Sequence, residues 1–112
     1  ARLSDADLIA LLQAGRTIRR EHAELLFTAG ERADAFYFIE RGAVEIVIGD
    51  AVIRRIEAGE CFGERGLDPA GPGVRTAGAR TVGPTSLVRV VGEAFRRIAG
   101  EQVFGGYDRA GW

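Results

Sequence analysis

What most constrains this chain is that its apolar residues come in short runs broken by glycine. In Val44-Glu45-Ile46-Val47-Ile48 the alternation sends Val44, Ile46 and Ile48 to one side of a strand, and Gly49-Asp50 offers a tight hairpin into the next run. The same reading gives strands over 17–20, 25–27, 35–40, 43–48, 52–56 and 87–91, with Gly30, Gly42, Gly59 and Gly63 among the turns between them. A sheet of this kind must bury one face and hide its edges. The expected architecture is therefore mainly β, a double-stranded β-helix of jelly-roll type, with a short α-helix at each end.

Ser4 with Asp7 three residues on has the form of a helix N-cap, and Leu8, Ile9, Leu11 and Leu12 supply an apolar face, so the first helix is expected over 4–15. The β-roll then occupies 16–91, and Ala94, Phe95 and Ile98 mark a closing helix over 93–99. Gly105, Gly106 and Gly111 argue against a long helix in the tail, 100–112. Segment 66–78 holds Asp68-Pro69 and Gly71-Pro72-Gly73 without apolar periodicity and reads as a surface loop, of a length that usually serves a function.

With 112 residues the chain can close one core, so 1–112 is expected to be a single domain. A net charge of −1 gives no whole-domain attraction to nucleic acid or to an anionic membrane. Cys61 is the lone cysteine and His22 the lone histidine, which excludes an intramolecular disulfide and makes a zinc site or a cupin-like metalloenzyme a poor reading. A reducing, cytoplasmic setting fits, no apolar run suits membrane insertion, and no nucleophile and base pair suggests turnover. The start at Ala1-Arg2, with no Met anywhere, suggests an excised domain or a chain whose initiator was removed, with an effector expected outside these residues.

The informative stretch is Glu60-Cys61-Phe62-Gly63-Glu64, then the glycine- and proline-rich loop, then Val74-Arg75-Thr76-Ala77. Gly63 lets backbone approach a ligand, and a helical turn beginning there would aim free amides outward, as phosphate sites do. Arg75 can close on the same anion. Glu64 accepts from hydroxyls but repels phosphate, so the pair implies a ligand with both a sugar and a phosphate.

Phe62-Gly63-Glu64 followed by Arg75-Thr76-Ala77 resembles the phosphate-binding cassette of the cyclic nucleotide-binding domain family, here spanning 62–79. Residues 35–45 resemble that family's central strands and the glycine turn between them. Phe95 stands at the family's spacing from Arg75, and the likeness runs from about Leu3 to Ala99.

The resemblance implies that Glu64 takes the ribose 2′-hydroxyl with help from the backbone at Gly63. Arg75 would take the cyclic phosphate, aided by Thr76 and the amide of Ala77, while Leu67, Val74 and Ala79 would wall the sugar and base. It implies cAMP or cGMP as ligand, no cofactor or metal, and a fused or neighbouring effector domain or subunit; Thr76 resembles members favouring cGMP. Arg65 stands where the family usually has an aliphatic residue and is read as solvated. Tyr107 or Trp112 is the candidate for a lid over the base. Two readings follow: a regulatory cyclic nucleotide sensor, or a ligand-free scaffold or assembly module of the same fold.

Overall fold

The computed structural model describes residues 3–68 and 70–100. Helix α1 (Asp5–Ala14) starts where expected, with the Ser4 hydroxyl accepting from the Asp7 amide at 3.1 Å. Strands β1 (Arg16–Arg20), β2 (Leu25–Phe27), β3 (Ala35–Ile48), β4 (Ala51–Glu57) and β5 (Cys61–Phe62) follow. A 3-10 turn (Glu64–Leu67), strand β6 (Gly78–Val91) and helix α2 (Gly92–Ala99) complete the described elements. All strand pairings are antiparallel, in the order β1-β6-β3-β4, with β2 also on β6 and β5 also on β3. This is the β-roll expected from the sequence.

The period of two along a strand explains how one sheet serves two cores. Ala35, Tyr37 and Ile39 of β3 face inward with Val44, Ile46, Phe62 and Leu87, and the Tyr37 and Phe62 rings stack at 5.1 Å. The intervening Phe36 turns to the other face, where it joins Leu11, Val88, Val90 and Phe95 beneath the helices. Phe36 and Phe95 lie 5.1 Å apart, which docks α2 on the roll.

Three expectations change. The strands at 35–40 and 43–48 are one strand, because Gly42 carries the chain through the bend at φ +89° while the pairing with β6 shifts register around Arg41. A Cβ there would stand 2.6 Å from the Thr85 hydroxyl and 2.7 Å from the Pro84 carbonyl, so the bend requires glycine. Strand β6 begins at Gly78 rather than Leu87: its first half lacks strand periodicity and is held as strand by β3 across the ladder. Ile48, at the hairpin end of β3, is 49% exposed and does not face inward with Val44 and Ile46.

Cys61 packs partly buried against the helical cluster. Desolvation, with Glu64 and Glu60 adding like-sign repulsion, pushes its thiol up to about 12. Iodoacetamide at about pH 8 is therefore expected to spare Cys61 in the folded protein and label it only after unfolding, since the thiolate is the nucleophile. Labelling at the rate of the urea-unfolded chain, read by mass spectrometry, would contradict this.

Candidate nucleotide-binding site

The site is built around one buried cation. Arg75 is 5% exposed, and its guanidinium donates through Nη1 to the Gly63 carbonyl at 2.7 Å and through Nη2 to the Ala35 carbonyl at 2.6 Å. Its Cζ lies 4.1 Å above the centre of the Phe27 ring, within cation–π range. Gly63 precedes the 3-10 turn at φ +89°, and a Cβ there would come within 3.1 Å of Arg75 Nη1, so glycine satisfies both the turn and the arginine.

Backbone pairing fixes where Arg75 leaves the chain. The Arg75 amide donates to Glu31 O at 2.7 Å, Arg75 O accepts from the Gly30 amide at 2.8 Å, and Ala33 N donates to Gly73 O at 2.9 Å. The Glu31 carboxylate in turn accepts from the Thr28 hydroxyl and amide, bonds that hold its pKa below the ordinary value. Beyond the 3-10 turn, Asp68 Oδ1 accepts from the Ala70 amide at 2.9 Å and closes the loop on itself.

Between this loop and the roll lies a cavity. Val74, Arg75, Thr76 and Ala77 line it as the sequence suggests, facing Phe27 and Ile46 from the roll. The 3-10 turn and the loop add Arg65, Gly66 and Asp68. Leu67 is not in this wall: it is 3% exposed and turned to the helical cluster, its Cδ2 3.0 Å from where a Gly92 Cβ would stand. Ala79 and Phe62 are inside the roll. Arg65, expected in solvent, lines the cavity.

Phe27 and Ile46 were missed because they come from distant strands, and no local signal marks them. The lid expected from Tyr107 or Trp112 lies outside the described residues.

The match to the family model described as "Cyclic nucleotide-binding domain" covers residues 17–102, including the 3-10 turn, the loop and Arg75. The chain belongs to the cyclic nucleotide-binding domain family. An uncharacterized Mycobacterium tuberculosis protein is 43% identical over 70 residues, which is 62% of this chain and 14% of that protein. The cGMP-dependent protein kinase of Plasmodium berghei is 35% identical over 65 residues, 58% of this chain and 8% of the kinase. The chain thus spans a small part of the curated relatives it matches. Among solved structures, the regulatory domain of Toxoplasma gondii PKA, crystallised with cAMP, aligns with a TM-score of 0.78 at 20% identity, over 92% of this chain and 40% of that one.

As a cyclic nucleotide-binding domain, the protein carries an electrostatic imbalance in its cassette. Glu64 is 7% exposed, and its Oε2 has no hydrogen-bond partner. Desolvation raises its pKa above the ordinary 4.5, against the lowering effects of its own amide and of Arg54, Arg65 and Arg75. The folded state therefore holds the Glu64 proton more tightly than the unfolded chain does. Its contribution to stability is fully present below about pH 4.5 and is lost as pH rises through the raised folded value. Glu64→Gln is expected to be more stable than the parent at neutral pH, by about 1 kcal/mol, because the amide keeps the shape and removes the charge that burial disfavours. The advantage should vanish as urea unfolding is repeated toward pH 4. A pH-independent difference between the two proteins would refute this account.

Among the described residues, no helix is long and apolar enough to cross a membrane, and no group of His, Cys, Asp and Glu side chains could hold a metal.

Proposed function

We propose that the chain is a single regulatory sensor domain of a larger cytoplasmic protein, one that binds a cyclic nucleotide without turning it over. One observation carries this reading. Among the described residues, the buried side-chain polar atoms lacking a hydrogen-bond partner are Glu64 Oε2 and Arg75 Nε, both in the cassette. Unpartnered buried polar atoms are uncommon in folded proteins and call for a reason. An acceptor and a cationic donor left waiting in one segment suit a ligand that brings hydroxyls and an anion together.

In this reading Glu64 accepts from the ribose 2′-hydroxyl, and Arg75 pairs with the cyclic phosphate while Thr76 and the amide of Ala77 add donors. Phe27, Ile46 and Val74 offer apolar surface to the sugar and base. Leu67 acts behind the site: it sits on the cassette's 3-10 turn and packs in the cluster that holds α2, so ordering of the turn can shift that helix. Binding then works as a population shift, and the ligand must favour one arrangement of turn and helix.

The test is calorimetric titration of the folded domain with cAMP and with cGMP. Saturable binding of either at micromolar concentration supports the sensor reading. A flat titration with both from a cooperatively folding protein would favour a scaffold role for the same fold.

A further inference from the structure

Arg75 is a constrained ligand for phosphate. Both of its terminal nitrogens already donate to backbone carbonyls, and one face of the guanidinium is covered by Phe27. A phosphate has more acceptor positions than such a fork can fill. The cassette is also acidic: Glu64 sits on the same 3-10 turn, and Asp68 lines the cavity. With Arg75 as the only cation lining the cavity, Asp68 would offset its charge, and an incoming anion would meet little net attraction in a partly desolvated site.

The structure places a second guanidinium in this cavity. Arg65 follows Glu64 on the 3-10 turn, is half-buried, and lines the cavity with Arg75, Thr76 and Asp68. It makes the cavity lining net positive. Arg65 is itself engaged within the protein, and five donors allow a guanidinium to hold an internal partner and an anion together.

We infer that Arg65 is a second phosphate contact, so that the ligand's anion is held between Arg75 on the inner side and Arg65 at the mouth. The inference rests on the nucleotide-binding reading of the preceding subsection and adds a further binding residue to it. A phosphate contact acts on the part common to cAMP and cGMP. It therefore raises affinity for both and discriminates against neither base.

The experiment is calorimetric titration of the parent, Arg65→Leu and Arg65→Lys with cAMP and with cGMP at two salt concentrations, with thermal melts confirming that each variant is folded. Arg65→Leu is expected to weaken both nucleotides by the same factor, about 5- to 30-fold for a charged hydrogen bond near the surface, and to flatten the salt dependence. Arg65→Lys should keep the charge and recover part of the loss. Parent-like affinity in Arg65→Leu would overturn the inference while leaving the binding function intact. A loss confined to one nucleotide would overturn it as well, since that would make Arg65 a base contact. Absence of binding by the parent with either nucleotide would instead remove the nucleotide-binding reading, and the inference with it.

Discussion

Arg75→Ala is expected to weaken cyclic nucleotide binding by about 2 to 5 kcal/mol, the usual loss when one member of a desolvated charge pair is removed. For a micromolar ligand that is loss of measurable binding. The variant should still fold, because the Gly30 and Glu31 backbone bonds that fix residue 75 do not involve its side chain. Arg75→Lys should recover little: a point charge cannot reach the Gly63 and Ala35 carbonyls together and also lie flat over Phe27. Calorimetry on both variants, with circular dichroism to confirm the fold, provides the measurement. Full affinity in Arg75→Ala would remove Arg75 from the site.

The second large effect is on stability. Phe95 is fully buried against Phe36 in the cluster that holds both helices. Phe95→Ala is expected to cost about 3 to 5 kcal/mol, a large part of the 5 to 15 kcal/mol that domains of this kind possess. Urea unfolding would show it as a lower midpoint. Leu67 of the 3-10 turn packs in the same cluster as Phe95, so the fraction that remains folded should also bind nucleotide with altered affinity. A cost below about 1 kcal/mol would mean that α2 is not docked through Phe95.

Local signals and long-range ones differed in what the sequence revealed. Ser4 and Asp7 set the start of α1, and Gly49-Asp50 set the β3–β4 hairpin, because each acts within a few residues. At the proposed site, the turn at Gly63 was legible because a positive φ favours glycine, and the structure brings the expected Arg75 onto the Gly63 carbonyl. The first half of β6 was not: Gly78 to Thr85 has strand conformation only because β3 and β2 pair with it. The same limit hid Phe27 beneath Arg75, and it misplaced Leu67 and Arg65. Which side of a short 3-10 turn faces the cavity depends on the roll behind it, and composition does not carry that.

Strand β6 has a consequence for how the protein comes into being. It pairs with β1, β2 and β3, and Arg16 and Thr17 pair with Arg89 and Val88, about seventy residues later in the sequence. During synthesis those three strands leave the ribosome well before the one that joins them. Such distant pairings make folding slow, in milliseconds to seconds rather than microseconds. Until Val91 has emerged, β1 and β2 have unpaired edges and Phe27 has no completed core around it. The nascent domain is therefore most exposed to aggregation and to chaperones just before β6 arrives, and the cavity matures only with that strand, because Arg75 comes just ahead of it in the chain.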